Sequence, residues 1–154
     1  MVSRVISAVV GIPLVLAAVL AGLTWFSLLT AVLASLGALE FYRMAKQREA
    51  RPASLLGIAW ALSFIVSGHK QGWLTPWVAL GGAVAILFWH QASLLVSLHP
   101  LAKGKALSRG LNDTLVDWAY TASGALYMGW TLSLFLILRE EPKGFEWVLV
   151  VLLG

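Results

Sequence analysis

Trp118 to Leu138 reads WAYTASGALYMGWTLSLFLIL, 21 consecutive residues without a charge. A helix rises about 1.5 Å per residue and the hydrocarbon core of a bilayer is about 30 Å thick, so roughly 20 apolar residues make one crossing. This stretch is long enough, and the rest of the chain repeats its character. Hydrophobic residues make up 60% of the 154 and charged residues 12%, with a mean hydropathy of +0.85. Soluble domains carry about twice that share of charge. The composition predicts an all-α polytopic membrane protein, because backbone groups in lipid need partners within their own segment.

Upstream, Val5 to Leu39 is uncharged for 35 residues, about 52 Å as one helix, so it must fold back. The expected turn is Ala21-Gly22-Leu23-Thr24, with glycine supplying turn freedom and Thr24 capping the next helix. That gives span one from Val5 to Ala21, kinked at Pro13, and span two from Trp25 to Tyr42. Span three, Ala53 to Gly68, has 16 residues, short enough to be re-entrant as well as crossing. Span four starts near Trp73, and His90 and Gln91 place its exit from the hydrocarbon near Trp89, with a tail to Leu98 in the interface. Span five is the opening stretch. Trp147 to Leu153 is wholly apolar but only seven residues long, too short to cross. It reads as the start of a sixth span, and the 154 residues as the N-terminal transmembrane part of a longer protein.

Basic residues orient the spans, because cytoplasmic loops retain them. With the N-terminus in the cytoplasm, the inner segments hold Arg4, Arg43, Lys46, Arg48, Arg51, Lys103, Lys105 and Arg109, and the outer loops hold Lys70, Arg139 and Lys143. Eight against three favours that orientation. Trp25, Trp73, Trp118 and Trp147 open their spans, where an amphipathic ring suits the headgroup layer. A secretory signal in residues 1–21 is the rival reading, disfavoured because no soluble mature domain follows it. The net charge of +4 is too small to argue for nucleic acid. The absence of cysteine excludes a disulfide framework and a thiolate metal site.

The familiar catalytic signatures for phosphate loops, zinc peptidases, serine hydrolases and calcium loops do not occur. Lys103, Lys105 and Arg109 form a basic loop, read first as an anchor to anionic headgroups and second as a substrate-binding group. Glu40-Phe41-Tyr42-Arg43 closes span two. A carboxylate near a helix C-terminus opposes the dipole, and Arg43 three residues on can compensate it. An interfacial ion pair with Tyr42 as belt anchor and a site-shaping role stand level there. Asp113 and Asp117 sit four apart and can share a helix face, so they can hold Mg²⁺. Asn112 and Asp113 are also ordinary capping residues and acids near a helix N-terminus suit the dipole, so helix capping is the preferred reading. His69, His90 and His99 show no ligand spacing and read as interfacial. Small residues four apart, Ser7 with Gly11 and Gly57 with Ala61, allow close helix packing.

Arg4-Val5-Ile6-Ser7-Ala8 with Ile12-Pro13, the Glu40-Phe41-Tyr42-Arg43 run, and Gly124-Ala125-Leu126-Tyr127-Met128-Gly129-Trp130 followed by Arg139 resemble, in order and separation, the N-terminal half of the bacterial phosphatidate cytidylyltransferase (CDP-diacylglycerol synthase) family. The resemblance covers essentially all 154 residues. It implies an inner-membrane, multi-pass nucleotidyltransferase of phospholipid biosynthesis that joins CTP and phosphatidate to give CDP-diacylglycerol and pyrophosphate. It also implies Mg²⁺ in the complete enzyme, membrane lipids as partners, and leaves a homodimer open. The family's Ser-Asp signature and its longer acidic motif are not in this sequence, so no catalytic residue carries over and these residues alone are expected to be inactive. Glu40, Tyr42, Arg43, Tyr127 and Gly129 carry over as pattern positions, with Arg43, Lys103, Lys105 and Arg109 as substrate-binding candidates. A small membrane transporter or a non-catalytic lipid-binding bundle is the alternative.

Overall fold

The computed structural model describes residues 11, 13–70, 73–98 and 111–153. All regular structure among them is helical. Helix α1 covers residues 13–20. It is followed by α2 (Leu23–Gln47), α3 (Ser54–His69), α4 (Thr75–Leu98), α5 (Leu111–Gly124), α6 (Thr131–Glu140) and α7 (Gly144–Leu153). A π-helical segment, Ala125–Trp130, joins α5 to α6 without a break.

The turn after α1 falls where the sequence places it, but its chemistry differs. Gly22 takes φ 108° and is the N-cap of α2, a conformation only glycine adopts at no steric cost. Thr24 does not cap; its carbonyl instead accepts a hydrogen bond from the Ser27 hydroxyl at 2.8 Å. The kink expected at Pro13 and the pair Ser7 with Gly11 involve residues outside those described.

Two helices among the described residues are long and apolar enough to cross a membrane: Leu23–Gln47, and the rod Asp113–Glu140 of 28 residues, about 42 Å at helical rise. Helix α3 has 16 residues and sits in the middle, packed against α2, α4, α5, the π segment and α6. One face of it, with Trp60, Ala61, Phe64 and Ile65, is buried, while Leu55 and Val66 stay exposed. Helix α4 continues unbroken to Leu98, the end given to its tail by the sequence.

Large apolar side chains occur both inside, such as Phe26, Trp60, Phe64 and Leu136, and outside. Buried positions are rich in small side chains, among them Ala34, Ala38, Ala61, Ala122, Ala125, Thr30, Ser67 and Ser133. Trp25, Leu55, Trp77, Phe88, Trp89 and Val150 face outward. Small residues let helix backbones approach where no hydrophobic force drives helices together, and outward apolar chains suit lipid contact. One close approach of helix backbones is at Gly129: a Cβ built there would lie 2.5 Å from Ala61 Cα. Buried hydroxyls turn back on their own helices, as Thr30 does to the Phe26 carbonyl at 2.7 Å and Ser133 to the Trp130 carbonyl at 2.7 Å, so they need no other partner.

The helices alternate in direction. Ser67 and Thr75 hydroxyls meet at 3.0 Å at one end, where Arg139 also donates to the Val19 carbonyl at 3.3 Å. That bond satisfies a carbonyl near the C-terminus of α1 with a cation, the favourable sign for a helix end. At the opposite end the α2–α3 connection meets α5 and the later part of α4.

Candidate functional site

Helix α2 ends at Gln47, with Arg48 N–H bonded to the Ala45 carbonyl at 3.0 Å and Glu49 N–H to the Lys46 carbonyl at 3.2 Å. Glu49 then takes φ 65°, the left-handed conformation that commonly stops a helix and that non-glycine residues seldom adopt. Arg51 precedes a proline, which keeps it out of the helical region. The segment from Arg48 to Ala53 is thus a short irregular connection carrying backbone donors that no helix satisfies.

Helix α5 satisfies them. Arg51 N–H donates to Asp117 Oδ1 at 2.6 Å, and Ala53 N–H donates to Thr121 Oγ1 at 3.0 Å. The Thr121 hydroxyl commits its own proton to the Asp117 carbonyl at 2.7 Å. It can therefore only accept from His90 Nε2, 3.4 Å away, which makes that nitrogen the protonated one. Tyr42 completes the knot, donating its hydroxyl to the Thr121 carbonyl at 2.9 Å. The Tyr42 ring fills a slot between Gly57 and Gly124, where any Cβ would strike it. Asp117 is 5% exposed and Tyr42 1%, and Asp117 also acts electrostatically on His90. Four elements are joined here through buried polar groups, each with a partner, as buried polar groups require.

Over this knot lies an open cleft of about 720 Å³ lined by Lys46, Arg48, Glu49, Arg51, Asp113 and Asp117, with Ala50, Pro52 and Val116 between them. The cations come from the end of α2 and its connection to α3, and the aspartates from α5. Asp117 is turned inward to the Arg51 amide, so Lys46, Arg48, Glu49, Arg51 and Asp113 present the exposed charge. Among the described residues no three His, Asp or Glu side chains come together to hold a metal ion. With Asp117 buried and engaged, the pair Asp113 and Asp117 does not fit a resident Mg²⁺ site.

The residues singled out from the sequence fall in different places. Tyr42 is a buried knot residue, not an interfacial anchor. Glu40 and Arg43 both project outward, exposed, and Arg43 does not line the cleft. Tyr127 and Gly129 lie on the π segment, Tyr127 at 66% exposed and Gly129 against Ala61. Such π-helical turns recur at functional positions in helices. Lys103, Lys105, Arg109 and His99 lie outside the described residues. Asp113 sits in the first turn of α5, where an acid favours the dipole. Asp117 caps nothing of its own helix, since α5 begins at Leu111; it caps the α2–α3 connection instead. His90 is buried against Thr121, not interfacial, and His69 is exposed. Trp118 is half-buried, bonded to the Ala83 carbonyl at 3.3 Å, so it packs α5 on α4 instead of facing headgroups.

Two of the three runs that carry the resemblance therefore meet in space, with Tyr42 of one set against Gly124 of the other. A match to the cytidylyltransferase family extends over residues 2–154. The chain belongs to the cytidylyltransferase family. The same comparison with curated proteins and with solved structures gives no match. For a cytidylyltransferase the knot supplies what the sequence reading missed: Thr121 and His90, and the loop cations Lys46, Arg48 and Arg51, which had served only to orient the spans. The available signal was the spacing of Asp117 and Thr121, one helical turn apart on a face that must turn inward.

Proposed function

We propose that these residues form the N-terminal transmembrane part of a phosphatidate cytidylyltransferase of the bacterial inner membrane, inactive alone, a multi-pass bundle of about five spans with the N-terminus and the charged cleft on the cytoplasmic side. A phosphate oxygen of phosphatidate attacks the α-phosphorus of CTP, the α–β phosphoanhydride bond breaks, and pyrophosphate leaves with the electron pair. Phosphatidate lies in the bilayer and CTP in the cytosol, so the two meet only at a polar end of a lipid-exposed bundle. The family match over residues 2–154 carries this reading. Supporting it, Arg43, Lys46, Arg48 and Arg51 gather at the cleft end, against Lys70, Arg139 and Lys143 at the other, the asymmetry that cytoplasmic retention of basic residues produces.

Within residues 1–154 the proposed contribution is positional and no catalytic group is assigned. Arg43, Lys103, Lys105 and Arg109 remain the proposed contacts to anionic substrate from the sequence. Mg²⁺ belongs to the reaction as an expectation for the complete enzyme; it would neutralise phosphate charge during the displacement. The test uses membranes from cells overproducing the protein at its natural length, given CTP labelled at the α-phosphate. Label should enter a chloroform-soluble product only when phosphatidate is supplied, with unlabelled pyrophosphate released. Label incorporation indifferent to phosphatidate, or none above control membranes, rejects this substrate assignment.

A further inference from the structure

We propose that the cleft formed by Lys46, Arg48 and Arg51 over the Asp117–Thr121 knot is a docking site for a phosphate-bearing anion, held in shape before the ligand arrives. The proposal uses the family reading only to choose probes, because it is tested by binding without turnover.

Two observations converge on it. The cleft holds about 720 Å³ and is edged by three cations, Lys46 in the last turn of α2 and Arg48 and Arg51 in the connection that follows. That segment is fixed from beneath: the Arg51 and Ala53 amides are both tied to α5 side chains, so the side chains leaving it start from a set backbone. Fixing the backbone beforehand spares part of the ordering cost of binding. Helix α3 starts at this edge with no acidic residue in its own first turn, but the Arg51 and Ala53 amides there are already taken by Asp117 and Thr121, so the attraction for a negative ligand rests on the cations.

The carboxylates decide the sign of the test. Asp117 is buried and turned to the Arg51 amide, whereas Glu49 is exposed and lines the cleft. Asp113 is exposed across the cleft and opposes an anion. An anion site therefore gains from Asp113→Asn and loses from Arg48→Gln and Arg51→Gln, whereas a cation site responds in the opposite sense. All three side chains are exposed, so these variants leave the knot and its packing intact.

The phosphate can come from a lipid headgroup or from a soluble nucleotide, and two arms separate these sources. The purified protein at its natural length is placed in phosphatidylcholine nanodiscs and titrated with CTP in the presence of EDTA. In the second arm it is reconstituted with increasing phosphatidate, and binding is read from tryptophan fluorescence. Each arginine replaced should weaken binding about fivefold in at least one arm, from roughly 1 kcal/mol per basic residue near a surface. Asp113→Asn should strengthen the same arm, and added salt should weaken it. A response to CTP alone assigns a nucleotide site and a response to phosphatidate alone a headgroup site. Unchanged binding in both arms for the arginine variants, or weaker binding in Asp113→Asn, overturns the proposal. Neither result bears on whether the enzyme transfers cytidylate, which the labelled-CTP assay decides.

Discussion

Tyr42 and Asp117 show how single side chains fix the cleft. The Tyr42 hydroxyl donates to a main-chain carbonyl 79 residues away in sequence, inside a slot whose walls are glycines. Tyr42→Phe keeps the ring and removes the hydroxyl that donates to the Thr121 carbonyl. It should cost about 0.5–1.5 kcal/mol, measured by thermal or denaturant unfolding in detergent. Asp117→Ala strands the Arg51 amide and should cost about 1–3 kcal/mol. Asp117→Asn keeps an acceptor oxygen and should cost less, in the same assay. Equal losses for Asn and Ala would show that the Arg51 amide does not depend on Asp117. The sequence singled out both residues but not their roles. Nothing local to Tyr42 points to Thr121, and Asp117 resembles a cap only while α5 is taken to begin near Trp118.

At the scale of elements, α3 and the π segment carry the packing. Gly129 faces Ala61 backbone atoms, which cannot move aside as a flexible side chain can. Gly129→Ala should therefore destabilise by about 1–3 kcal/mol through overpacking. Gly81→Ala is the control, because a Cβ there meets nothing within 4 Å, and it should be neutral or slightly stabilising. A Gly129 variant as stable as the Gly81 variant would mean that α3 and the π segment are not in backbone contact. Helix positions were legible because apolar runs and their breaks are one-dimensional signals. The π segment was not, since a single widened turn leaves the run of apolar residues unchanged. The partner of His90 was not legible either, since Thr121 lies 31 residues away in sequence.

Over the whole molecule, buried small residues and outward-facing large apolar residues describe a bundle whose surface is completed by lipid. Its polarity runs end to end: the knot and the charged cleft at one end, the Arg139 and Ser67–Thr75 contacts at the other. Composition and charge placement made the membrane class and this asymmetry readable from the sequence. The cleft itself was not, because it is assembled from segments separated by more than sixty residues, as the Arg51–Asp117 bond shows. The account depends on the cleft end facing the cytosol, where a soluble nucleotide can reach it. The chain contains no cysteine, so single cysteines report each end without background. Lys46→Cys and Lys143→Cys each remove one positive charge, from opposite ends, and both positions are exposed. In right-side-out spheroplasts a membrane-impermeant maleimide should label the Lys143→Cys protein and spare the Lys46→Cys protein until the membrane is permeabilised. Labelling of Lys46→Cys before permeabilisation would contradict the orientation, and with it the placement of the working end of the enzyme.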